Sequence, residues 1–180
     1  SKDSDSIKVV LNGLLSNKDI FGSNVFSGNS TNNPIYANMT TFANSISSTY
    51  RYSGNKTFYI GTYSYNSGVG YENVKSANIS LNVGLPVIGE MFSGNDIDMG
   101  TSTSKSFVDI NTIENATVSH NYWTMNAADS SGYVTTVLGG GTLSRVAGAE
   151  SSGVRPVIFL NSNLTFTGGN GTAQNPYTLT

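Results

Sequence analysis

Few side chains in this sequence are equipped for covalent or acid–base chemistry. One histidine, His120, stands in Ser119-His120-Asn121, and the chain has no cysteine. A Ser-His-Asp triad would have to be built on His120, and no nucleophile-elbow motif supplies its serine. Without cysteine there is no disulfide framework, thiolate nucleophile or thiolate metal site. The carboxylates Glu90, Asp96, Asp98 and Glu114 fall in or near polar stretches, where a pair of acids can do acid–base work. They come without any further signature, in a chain whose 26 Ser and 19 Thr make chance constellations common. The sequence therefore predicts no catalytic residues and a protein that is not an enzyme.

Asn95-Asp96-Ile97-Asp98-Met99-Gly100 has the oxygen density of a calcium loop. An EF-hand-type loop closes on a bidentate carboxylate, and Phe107 stands at that position. The expectation is Asx-turn chemistry, with no metal and no cofactor. The tyrosines say more. Tyr50, Tyr52, Tyr59, Tyr63, Tyr65 and Tyr71 fall within 22 residues. Alternation from Thr57 to Tyr65 puts Tyr59, Tyr63 and Tyr65 on one strand face. Tyrosine offers a large contact area and a polar tip at low entropic cost, which suits recognition. The expected ligand-binding surface is that tyrosine face together with the loop carrying Asn95, Asp96 and Asp98.

The rest of the composition narrows the function classes. The 180 residues carry 9 Lys+Arg against 11 Asp+Glu, a net charge of −2, and only 11% are charged. That balance provides no basic field for a nucleic-acid backbone. No apolar run approaches the roughly 20 residues of a membrane span, so no membrane contact is expected from this chain. The opening Ser1-Lys2-Asp3-Ser4-Asp5-Ser6 reads as the start of a trimmed or mature segment. The absence of cysteine, with the Ser, Thr and Asn richness, is compatible with export. The 8 Phe, 10 Tyr and 1 Trp supply a packed core and separate the chain from disordered polar sequences. Length fits one domain over residues 1–180.

The elements that must position these residues are mainly strands. Ile7 to Leu11 is a short β-type run closed by Asn12-Gly13. In the loop that follows, Phe21 and Phe26 are expected to point inward. A helix is predicted over residues 34–48, with Asn32 or Asn33 as cap, Pro34 in the first turn and Ile35, Met39, Phe42 and Ile46 on one face. Strands are predicted from Thr57 to Tyr65, Val74 to Val83, Tyr122 to Met125, Tyr133 to Leu138, Thr142 to Ala147 and Val154 to Leu160. A terminal strand at Tyr177–Leu179 would bring the end of the chain back near its beginning. Val154 to Leu160 carries apolar residues on both faces, as a strand covered on both sides does. Pro156 within it implies a bulge or an edge.

Several of these strings resemble a family of uncharacterised bacterial surface and prophage-linked modules with a C-type-lectin-like, or formylglycine-generating-enzyme-like, fold. They are Val83-Gly84-Leu85 leading to Glu90, Tyr122-Trp123-Thr124-Met125, Gly153-Val154-Arg155-Pro156-Val157-Ile158-Phe159-Leu160, and Gly168-Gly169-Asn170-Gly171-Thr172 with Asn175-Pro176-Tyr177-Thr178-Leu179. The resemblance covers residues 83–180. It implies an α+β C-type-lectin-like domain with a twisted, mainly antiparallel sheet, one or two helices and long Gly/Ser/Asn-rich loops. It also implies an extracellular place on a bacterial cell surface, often in pilin-like or anchored proteins. Enzymatic members of that broad fold use cysteine pairs or histidine clusters, and calcium-dependent lectins use Glu-Pro-Asn or Gln-Pro-Asp with Trp-Asn-Asp; this chain has none of these.

Three residues are expected to be structural. Trp123 lies in a core strand, Pro156 interrupts one, and Arg155 requires acceptors such as Glu90, Asp109 or loop carbonyls if buried. The expected function is a non-catalytic adhesion or binding module whose partner is a host or bacterial surface ligand, glycan or protein. The alternative is a pilin-like filament subunit whose partners are neighbouring subunits.

Overall fold

A computed structural model of the chain describes residues 4–11, 13–23, 25–66, 70–88, 121–128, 132–138, 143–170 and 174–180. The chain runs β1 (Ser6–Val10), β2 (Ser16–Ile20), α1 (Ile35–Ser45), β3 (Lys56–Tyr59), β4 (Thr62–Asn66), β5 (Gly70–Lys75), β6 (Asn78–Leu81) and β7 (Val83–Gly84). It continues as β8 (Tyr122–Ala128), β9 (Tyr133–Val137), β10 (Leu143–Ala147), β11 (Ser151–Val154), β12 (Val157–Asn161), β13 (Phe166–Gly168) and β14 (Thr178–Leu179). The result is mainly β, with one short helix. The strands form a three-stranded sheet β1-β12-β7, a seven-stranded sheet built on β10-β9-β8-β11-β2 with β4 and β5 attached, and the ribbons β3–β6 and β13–β14. Pairing is antiparallel except where β8 meets β11 at Tyr122 and β4 at Ala127 and Ala128.

The predicted strand Val154–Leu160 is two strands. β11 belongs to the large sheet and β12 to the small one, and the chain changes sheet at Arg155-Pro156. Proline has no N–H for a ladder, so a continuous central strand cannot run through it. The N-terminal segment makes the same change alongside: β1 pairs with β12 and β2 with β11. Between them Leu11 N donates to Pro156 O at 2.9 Å and Leu15 N to Val154 O at 2.8 Å. A two-stranded ribbon thus turns the corner between sheets. Arg155 sits in that corner, 5% exposed. Its Nε donates to Leu11 O at 2.7 Å, and its guanidinium lies 5.3 Å from the Tyr122 ring centroid. The carbonyl partner is of the kind the sequence predicts; Glu90 and Asp109 lie outside the described residues.

The helix buries Ile35, Met39 and Ala43, with Phe42 and Ile46 half-buried beside them. Its side packs on the core through Tyr36, whose ring meets Phe26, and an aromatic chain continues from Phe26 to Phe21 and Trp123 at centroid distances of 5.6 and 5.5 Å. Trp123 is fully buried and its Nε1 donates to Asp19 O at 2.8 Å. Capping differs from the expectation. Pro34 holds the N-terminal position and no side chain caps the helix. Asn33 is buried and turned the other way: its Nδ2 reaches the carbonyls of Phe21, Ser23 and Val25, and its Oδ1 accepts from Ser27 N and Oγ. One amide side chain therefore satisfies the irregular backbone of the loop that carries Phe21 and Phe26, a stronger claim on it than a single helix N–H.

Candidate ligand-binding surface

The predicted tyrosine face begins in β3, where the pleat sends Phe58 inward and Thr57 and Tyr59 outward. Phe58 is fully buried against Phe159, their centroids 5.6 Å apart. At Ile60-Gly61 the chain leaves the β3–β6 ribbon and enters the large sheet as β4. Strict alternation holds only inside one strand, so the phase resets there. Tyr63 consequently faces inward, 7% exposed, and burial pushes its phenol pKa up. Tyr59 and Tyr63 therefore do not share an exposed face. Tyr65 stands opposite Tyr71 in the β4–β5 register. Asn95, Asp96 and Asp98, the other half of the predicted surface, lie outside the described residues, as does His120.

A buried polar hub fixes where that reset happens. Asn126, fully buried in β8, donates from Nδ2 to Gly61 O at 3.1 Å and Tyr59 O at 3.4 Å, and accepts at Oδ1 from Ile88 N at 2.9 Å. Around it the β8–β9 register shifts between Trp123 and Ala127. The irregularity is filled by Thr124 and Thr135, whose hydroxyls bond to each other, with Thr135 Oγ1 also donating to Asn126 O at 2.8 Å. Nearby, burial raises the Tyr122 phenol pKa, and Arg155 opposes that rise.

Tyr59 remains at the surface, 62% exposed. The β3–β6 register sets it opposite Asn78 and sets Thr57 opposite Ser80. All four side chains are exposed on the outer face. The inner face is held by Phe58, Leu81 and the half-buried Ile79. At the end of the ribbon Lys56 pairs with Asp5, so the outer face itself carries no charge. It presents one aromatic ring, one amide and two hydroxyls on a packed sheet. Such a set can hold a ligand by stacking and neutral hydrogen bonds, and it contains no nucleophile with a base beside it. Among the described residues no three or more His, Cys, Asp or Glu side chains converge to hold a metal, and no helix is long and apolar enough to cross a membrane.

The exposure of Tyr59 follows from the alternation; its neighbours on the ribbon are harder to read from sequence. Asn78 and Ser80 carry a signal in the alternation Asn78-Ile79-Ser80-Leu81, but nothing local names β3 as the partner strand. Phe166 and Tyr177 are likewise exposed, 52% and 57%, on the terminal ribbon. No family model matches the chain, and no match was found among curated proteins or solved structures.

Proposed function

We propose that this chain is a non-catalytic, extracellular binding module of a bacterial cell-surface or pilus-associated protein, and that its fold is C-type-lectin-like. The resemblance of the Gly153–Leu160 and Asn175–Leu179 strings supports the fold, and the pairing of the first strand with the late strand β12 is consistent with it. The observation that carries the binding reading is the β3–β6 outer face: an exposed tyrosine among neutral polar side chains on a two-stranded ribbon. Tyrosine anchors are enriched where proteins recognise surfaces, because two side-chain torsions order a large amphipathic area. The ligand is a glycan or protein of a host or bacterial surface.

The isolated domain is tested for binding to whole cells and to a glycan array. With a neutral contact set, binding changes little between low and high salt and persists in EDTA. Tyr59→Ala weakens it by about tenfold or more, as loss of an aromatic anchor does, without lowering the melting temperature. Binding that ignores Tyr59→Ala removes this face as the site. Concentration-dependent self-assembly without ligand binding replaces the proposal with a filament subunit.

A further inference from the structure

The chain from Pro156 to Thr180 contains no Asp, Glu, Lys or Arg. Its last part is the β13–β14 ribbon, whose strands pair only with each other among the described residues. Backbone bonds close it at both ends: Thr165 and Thr180 exchange N–H···O bonds of 2.8 and 3.0 Å, and Asn170 N donates to Asn175 O at 3.0 Å. Gly169 makes the turn at φ +85°, where a Cβ would sit 2.0 Å from Pro176 O. Leu164 and Leu179 pack against the core. The register sets Phe166 opposite Leu179, on the same face of the ribbon, and there Phe166 and Tyr177 meet edge to face, their centroids 5.2 Å apart and their planes at 67°. Both rings are more than half exposed.

We infer that this Phe166–Tyr177 corner is a second binding site, separate from the Tyr59 face, and that its ligand is a neutral saccharide. The inference rests on the reading of the domain as a binding module. Size and charge select the ligand class. Two half-exposed rings offer roughly 200 Å² of apolar surface, a small part of the about 800 Å² per partner of a stable protein interface. One sugar ring needs no more: its C–H face stacks on one aromatic ring while the second ring walls its edge. Thr167 and Thr178 alternate with the rings and bond to each other on the ribbon's other face, so the sugar's hydroxyls keep their water and the rings carry the contact. A ribbon without charged side chains offers nothing to counter a carboxylate or sulfate, so acidic sugars gain no affinity there. A single shallow site of this kind binds weakly and becomes effective when several copies are displayed together.

The full 180-residue chain, displayed multivalently on beads, is tested against an array of neutral, sialylated and sulfated oligosaccharides. Expected are binding to neutral glycans, persistence in high salt and EDTA, and a loss of about tenfold or more in both Phe166→Ala and Tyr177→Ala. Tyr177→Phe, which keeps the ring, retains binding. Melting temperatures identify any variant that fails to fold. In that event amide shifts of the wild-type protein, titrated with the best neutral oligosaccharide, decide the case: movement at residues 165–168 and 177–179 supports the site. Neutral-glycan binding that both alanine variants retain and Tyr59→Ala abolishes overturns this site and leaves the Tyr59 face standing. Absence of binding to any array glycan overturns the saccharide site, whereas the Tyr59 proposal also has the whole-cell assay with protein ligands as its test.

Discussion

Asp5 is an exposed carboxylate with two donors, the Tyr52 hydroxyl at 2.8 Å and the Lys56 ammonium. The hydrogen bond from Lys56 is the larger cause, and that from Tyr52 the next, of a pKa held below the usual 3.8; the same contact raises the Tyr52 phenol. The folded value lies below the unfolded one, so its stabilising contribution is present above about pH 4 and is lost as pH falls through the folded pKa. Local structure follows, because Ser162 N donates to Asp5 O at 3.2 Å and Ser162 Oγ to Ser4 O at 3.0 Å. An NMR titration is expected to show Asp5 ionising below 3.8 with the Ser162 amide shift tracking it, and Lys56→Met moving the midpoint upward. A midpoint at or above 3.8 in the wild type contradicts the arrangement. Lys56, Tyr52 and Asp5 carry no sequence pattern that links them. Their meeting depends on residues about fifty apart, whereas the inward placement of Phe21, Phe26 and Trp123 follows from side-chain type alone.

At the scale of elements, the corner between the two sheets is where a single residue does most for the fold. Arg155 supplies Leu11 O with a buried donor while Pro156 stops β11 from continuing into β12. Removing the side chain takes this donor from Leu11 O and the packed stem from the corner. Arg155→Ala is expected to lower stability by about 2–4 kcal/mol. Arg155→Met keeps most of the apolar stem and is expected to recover part of the loss, the remainder reporting the guanidinium's polar contacts, among them the Leu11 bond and the approach to the Tyr122 ring. Denaturant unfolding of both variants measures this, and an unchanged midpoint in Arg155→Ala refutes the role. The proline's break and the arginine's structural role are legible in the sequence, since both follow from backbone chemistry. The division between β11 and β12 is not, because apolar runs show where strands are, not which sheet each enters.

For the whole molecule, what was legible was the class of architecture: many short strands, one amphipathic helix and aromatic anchors under polar loops. The helix is shorter than expected at both ends, because Asn33 is spent on the preceding loop and Ile46 is already extended, at φ −83° and ψ 128°. Of the proposed surface, the exposure of Tyr59 is legible in the alternation. The burial of Tyr63 is not, because the chain crosses between sheets at Ile60-Gly61, a crossing held by Asn126 from 65 residues away. Long-range pairing of this kind leaves no local trace.

The ladder of β1 and β12 has a mechanical consequence. Its register runs from Ser6–Asn161 to Val10–Val157, so the chain before Ser6 and the chain after Asn161 leave from the same end. Tension applied between those two exits loads one rung at a time and opens the ladder like a zip. Tension between Ser4 and Glu150 instead drags the β1–β2 strand and the β11–β12 strand past each other, loading their rungs together. Single-molecule pulling through cysteines placed at Ser4 and Asn163 is expected to unfold the protein at a lower force than pulling through Ser4 and Glu150. A module fixed at both of those neighbouring exits would yield early under flow, and its resistance would depend on which two points of the chain carry the load.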